Sequence, residues 1–155
     1  MLMPIHDAAA DLRTALEFAG LPVGEFAFPG PLREQLVAAI LDGSKTSTTC
    51  TLIEFEVENE ELPQPGQREV VIDSAGRGVA VIEMTEVRIV PLADVDLQHA
   101  IDEGEGYASV AQWRAGHEEF WHSAEMRQTM GDPHFTVDAS TMLVLQRFKV
   151  IAQLS

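Results

Sequence analysis

Lys45 and Thr48 stand three residues apart in the run Gly43-Ser44-Lys45-Thr46-Ser47-Thr48-Thr49-Cys50-Thr51. A threonine hydroxyl is a weak nucleophile until a neighbouring base takes its proton. A lysine can be that base when burial strips its amine of water and lowers its pKa. Such a pair wants a carboxylate close by, to position the amine or shuttle protons. Downstream the chain offers two, in Asp102-Glu103-Gly104-Glu105-Gly106. The flanking glycines allow a sharp turn or a close approach of the backbone to a ligand. Trp113, Arg114 and His117 follow, with Arg114 and His117 one helical turn apart. The Arg114 guanidinium is suited to a carboxylate, with Glu103 and Glu105 as candidates. A lone cation among the hydroxyls of Ser44, Thr46 and Ser47 also suits a small polar or anionic ligand. Plainer readings fit the same residues: a helix-to-strand connection with a solvated lysine, a threonine chosen for strand propensity, and an acidic loop in water. In a straight strand Lys45 and Thr48 would point to opposite faces, so they meet only if the chain turns between them.

The elements that must position these groups follow from periodicity. Ala8, Leu12, Ala15, Leu16 and Ala19 recur at helical steps, so Ile5 to Ala19 is expected as a helix stopped by Gly20. Leu21 to Gly30 is a loop whose Phe26 and Phe28 are expected as core anchors or as an aromatic pocket edge. Pro31 opens a second helix, with a stripe of Leu32, Leu36, Val37, Ile40 and Leu41, and Gly43 caps it. The alternation of Thr49, Thr51, Ile53, Phe55 and Val57 against Glu54, Glu56 and Glu58 predicts a strand. Asn59 to Gln67 is a turn region. Arg68 to Asp73 and Gly78 to Val90 read as strands joined by the hairpin turn Ser74-Ala75-Gly76-Arg77, with a bulge near Glu83. Leu92 to His99 reads as a short helix. Ser109 caps another, bearing Val110, Trp113, His117, Phe120 and Trp121 on one side. Met130 to Pro133 is a turn, and Met142 to Ile151 is a final, central strand. The fold class is therefore α+β, on a small mixed barrel; strict βαβ alternation is absent.

Composition narrows the function. A chain of 155 residues is expected to be one domain, residues 1–155, with residues 1–25 an N-terminal helical extension. No apolar run approaches the roughly 18–20 residues of a membrane span. The N-terminus lacks the basic region of a secretory signal. Cys50, the single cysteine, excludes an internal disulfide and fits a reducing cytoplasm. Ten basic residues against twenty-five acidic ones give a formal charge of −15. Such a chain repels a long duplex unless its cations are concentrated in one place; small ligands and short single strands remain compatible. Paired cysteines, a His-Glu-x-x-His run and a phosphate-binding glycine signature are all absent, and Gly104 and Gly106 follow no clear strand. The histidines at 6, 99, 117, 122 and 134 lack ligand spacing. No metal and no cofactor is expected.

At these residues the chain resembles the ASCH domain proteins of the PUA-like superfamily. The matching pieces are Phe28-Pro29-Gly30, the helix running into Gly43-Ser44-Lys45-Thr46-Ser47-Thr48-Thr49, the Leu62-Pro63 and Pro65-Gly66 turn, and Glu103-Gly104-Glu105-Gly106 followed by Trp113-Arg114 and His117. The resemblance covers roughly residues 26 to 150. It implies a small β-barrel with helices at its ends, a cleft lined by the lysine loop, and an RNA-related ligand. Small bacterial members are amidohydrolases that remove the acetyl group of N4-acetylcytidine with a lysine, a threonine three residues on and a downstream glutamate. Carried over, Thr48 attacks the amide carbonyl, Lys45 takes its proton, and the glutamate is Glu103 or Glu105. Phe28, Ser44, Thr46, Ser47, Arg114 and His117 would contact the ligand. The chain departs from those members in its N-terminal helix and its longer stretch from Ser123 to Thr136. Two other functions are compatible with the resemblance: a single-stranded RNA-binding or RNA-cleaving module using Lys45, Arg114 and His117, and a non-catalytic nucleotide or modified-base binder.

Overall fold

The computed structural model describes residues 20–154. The helix expected over Ile5 to Ala19 lies outside the described residues. Five strands form one sheet: β1 (Val23–Gly24), β2 (Ser47–Thr51), β3 (Arg68–Ile72), β4 (Gly78–Pro91) and β5 (Met142–Gln153). Around it lie α1 (Pro31–Asp42), α2 (Leu52–Val57), α3 (Leu97–Asp102), α4 (Val110–Trp121) and α5 (Ala124–Met130), with a 3-10 turn at Leu92–Asp94. The strand order is β1-β3-β4-β5-β2. Only β1 and β3 run parallel; the other neighbours are antiparallel.

The expected barrel is corrected to an open sheet. Its edges are β1, two residues long, and β2, which a helix cuts off after Thr51. The two edges do not pair with each other. The β3–β4 hairpin forms as its turn residues predict. Register shifts between Val81 and Ile82 and between Met84 and Glu86 bracket the bulge expected near Glu83. These let the long β4 bend, because each extra residue increases the local twist.

The strand predicted through Val57 ends at Thr51, and residues 52–57 are helical. The reason is a capping box. One Glu54 carboxylate oxygen accepts from the Thr51 amide at 2.6 Å and from the Thr51 hydroxyl at 2.8 Å, which starts a helix at the residue where the strand stops. Ile53 and Val57 are exposed rather than forming a core face.

The core is divided in two. One cluster packs Leu36, Val37 and Ile40 of α1 against Val71, Ile82, Met84 and Phe148, with Phe26 from the loop. The other packs Trp113, Trp121, Met126 and Met130 against Leu143 and Leu145. β5 serves both, and its residues 143–146 are all buried. Pro31 opens α1 and Gly43 ends it with φ of 88°. Its buried stripe is Arg33, Leu36, Val37, Ala39 and Ile40, whereas Leu32 and Leu41, expected inside, are exposed. Arg33 can be buried because its guanidinium donates to the carbonyls of Phe26, Ala27 and Asp73, so the loop's own unpaired acceptors satisfy it. Helix α5 lies in a stretch read without regular structure; Ser123 caps it by accepting from the Met126 amide.

Candidate functional site

Lys45 lies in the turn between α1 and β2. Its amide donates to Ala39 O, which closes the end of the helix, and the chain then reverses. That turn folds the side chain back over its own strand. Nζ donates to Ser47 O at 2.8 Å and to Glu103 O at 3.3 Å, and lies 5.8 Å from the Phe26 ring centroid. The residue is 2% exposed. Burial lowers the amine's pKa, and the charges of Glu103, Glu105 and Cys50 only partly oppose this. Two carbonyls hold two N–H groups, and one position on the nitrogen has no partner among the described residues.

The turn after α3 is pressed against this lysine loop. Thr46 N donates to Asp102 O at 2.7 Å. Gly104 has φ of 72°, and a β-carbon there would sit 2.8 Å from Lys45 N and from the Ser44 carbonyl. Only glycine fits so close a backbone contact at that φ. The close approach expected of this glycine is therefore made to the lysine loop.

The Glu103 carboxylate is 1% exposed. Its Oε2 accepts from Trp113 Nε1 and from His117 Nε2, the latter at 2.9 Å. Trp113 and His117 lie one turn apart on α4, and their rings stack at 4.2 Å. His117 Nδ1 lies 2.9 Å from Trp113 O. A carbonyl can only accept, so Nδ1 carries a proton. A second proton on Nε2 then makes the imidazole a cation facing the carboxylate. Burial pulls the His117 pKa down, but the hydrogen bond and charge of Glu103, with Glu105, outweigh it and the net shift is upward. Burial raises the Glu103 pKa, yet the His117 bond and the Lys45 charge prevail and hold it at about 2.

Glu105 differs. It is half-buried and makes no side-chain hydrogen bond among the described residues. Burial raises its pKa, with Lys45 opposing. One ligand-type atom each from Glu103, Glu105 and His117 lies within 4.8 Å of the others. This is the one trio among the described residues with the spacing of a cation site. An ion entering it would have to displace the His117 proton from Glu103.

Lys45, Thr48, Glu103, Glu105, His117 and Phe28 all line one cleft of about 1140 Å3. The Thr48 hydroxyl has no hydrogen-bond partner among the described residues, and it is not bonded to Lys45. Phe28 stacks on Phe120 at 5.7 Å between ring centroids. Four expected ligand contacts are placed elsewhere. Ser44 is exposed and its hydroxyl donates to Ala39 O. Thr46 does not line the cleft. Ser47 is fully buried and donates to His99 O. Arg114 pairs with Glu118 at 2.6 Å, one turn along its own helix, and not with Glu103 or Glu105.

Two cleft features, and the buried partner of the cleft residue Thr49, escaped the sequence reading. The cleft is acidic: Glu25, Glu54, Glu58, Glu60, Glu61, Glu69 and Glu119 line it beside the two site glutamates. Arg33, the other strong cation there, is engaged with backbone carbonyls. The second is Glu69, whose pKa burial and Glu60 push up to about 7. Its signal was legible, since Glu69 shares a strand face with the fully buried Val71. The third is the buried His99, kept neutral by burial with a pKa near 4 and bonded through Nε2 to the Thr49 hydroxyl at 2.7 Å.

No helix among the described residues is long and apolar enough to cross a membrane. No functionally curated protein matches the chain. Its fold is similar to the crystal structure of a protein from Enterococcus faecalis V583, with TM-score 0.75 and 24% identity over 92% of this chain and 86% of that one. It is also similar to the ASCH domain from Lactobacillus crispatus JV V101, with TM-score 0.70 and 23% identity over 96% of this chain and 97% of that one. The ASCH domain family matches residues 25–152, which include Lys45, Thr48, Glu103, Glu105 and His117, and the chain belongs to that family.

Proposed function

We propose that the protein is an amidohydrolase acting on a small N4-acylated cytidine-like nucleoside. The observation that carries this reading is Lys45, an amine held dry by two carbonyls at the wall of a cleft that Thr48 also lines. A neutral amine keeps a lone pair, which is what a threonine nucleophile needs beside it. Thr48 Oγ1 bonds to the acyl carbon while its proton passes to Lys45 Nζ. The tetrahedral intermediate collapses, the carbon–nitrogen bond breaks, and the exocyclic nitrogen leaves with a proton. Water then cleaves the acyl-threonine ester, releasing the carboxylic acid and restoring the hydroxyl. No cofactor enters these steps.

The cleft's charge favours an uncharged ligand. An RNA strand derives most of its affinity from neutralised phosphates, and among the described residues nine glutamates line the cleft beside Arg33 and the Lys45 amine. The ribonuclease reading also needs Arg114 and His117 at a phosphate. Arg114 lies outside the cleft, and the His117 Nε2 proton is engaged by Glu103.

The test is release of cytidine from N4-acetylcytidine, followed by chromatography, with wild type, Lys45→Ala and Thr48→Ala. Release by wild type that falls by roughly 100-fold or more in both variants is expected for loss of a base and its nucleophile. A folded wild-type protein that releases none overturns this substrate. Binding of the nucleoside without turnover would make the site a binder.

A further inference from the structure

We propose that Glu105 is the carboxyl group that moves protons at this site, and that Glu103 is a positioning residue clamping the lysine loop to α4; the assignment rests on the amidohydrolase reading.

Both glutamates leave the same turn, but the turn presents them differently. Gly104 lies flat on the Ser44–Lys45 backbone. Residue 103 is thereby locked inward, its carbonyl on Lys45 Nζ and its carboxylate between two donors of α4. A proton on either oxygen of Glu103 would cancel the charge that faces the His117 imidazole while the carboxyl remains almost wholly inside the protein. Its work is mechanical: it ties the lysine to the helix carrying Trp113 and His117. Glu105 lines the same cleft two residues on, with no hydrogen-bond donor among the described residues. The charged or titratable groups around it are Lys45, Glu103, His117 and Tyr107.

A carboxylate in that position accepts the proton that Lys45 has taken from Thr48. It returns the proton to the amide nitrogen as the carbon–nitrogen bond breaks. In the second half of the cycle the same carboxylate takes a proton from the water that attacks the acyl-threonine and passes it to the departing threonine oxygen. One proton moves in each direction, and Glu105 ends as it began. Burial favours this by raising the pKa of Glu105 toward working pH.

Glu105→Gln, Glu103→Gln and His117→Gln separate the roles through kcat, KM, melting temperature and pH profile. Glu105→Gln is expected to lower kcat by roughly 100-fold or more, leave KM and melting temperature near wild type, and reduce the fall in rate on the acid side from two protonations, Lys45 and a carboxylate, to that of Lys45 alone. Glu103→Gln and His117→Gln are expected to keep both protonations, raise KM and lower the melting temperature together. A carboxylate protonation lost in Glu103→Gln and kept in Glu105→Gln overturns the assignment. Should wild type leave N4-acetylcytidine intact, the hydrolase reading fails by itself. The carboxyl carbons, followed by NMR as pH is lowered, then decide the division of roles. Glu105 protonating well before Glu103 supports it, and Glu103 protonating first or together with Glu105 overturns it.

Discussion

His117 and Glu103 make a prediction that depends on the sign of two shifts. The His117 pKa is raised above its ordinary 6.5, so its charge stabilises the fold fully below that value. The stabilisation is lost as pH rises through the raised folded-state value. The Glu103 pKa is lowered from 4.5 to about 2, so its contribution is present above 4.5 and disappears as pH falls toward 2. The pair is strongest between those two ordinary values. His117→Ala leaves a buried carboxylate without its cation, a loss of roughly 3–5 kcal/mol. The deficit in unfolding free energy should be largest near pH 5.5 and shrink as pH rises through the raised His117 value. A deficit that stays constant as pH rises would show the pair to be uncharged. Sequence pointed to these residues but not to their partners. Arg114 and His117 share a helix face, and a guanidinium suits a carboxylate in general. Glu118 lies one turn from Arg114 on the same helix, and a partner so close costs less chain ordering than one across a loop.

At the level of elements, α2 shows how two patterns in one stretch can conflict. Residues 49–57 alternate as a strand should, yet Thr51 and Glu54 also spell a capping box. The alternation describes side chains and requires a partner surface, whereas the box satisfies backbone donors locally. The box prevails because Ile53 and Val57 have no core face to enter and stay exposed. Glu54→Ala is therefore expected to cost about 1 kcal/mol, within the range of lost caps. Urea unfolding measures it, and an unchanged midpoint would show that the box does not hold the helix. The other elements were legible because their signals agree. Pro31 and Gly43 bound α1, Ser109 caps α4, and the turn at residues 74–77 joins β3 to β4. Helix α5 was missed because its seven residues are too few for a periodic stripe to stand out.

Across the molecule, nine of the twenty-five acidic residues line the cleft where a ligand would enter. Single-stranded RNA is expected to show no binding that strengthens as salt is lowered from about 200 to 50 mM. Fluorescence anisotropy with a short labelled strand tests this, and a steep salt slope would point to a basic surface elsewhere. Sequence gave the sign and size of the charge but not its location, since glutamates from α2, β3, α4 and the loops converge only on folding. It pointed likewise to a sheet with helices around it while leaving the closure of that sheet open, because closure depends on how far two edge strands reach.

Strand β5 joins the two cores and lies between β4 and β2. Among the described residues it follows every other element in sequence order. During synthesis, β4 must wait with one edge unpaired until residues 142–153 emerge, and neither core can close before then. An exposed edge of that length is a template for pairing with other chains. A growing chain of this protein is therefore most exposed to aggregation just before β5 leaves the ribosome.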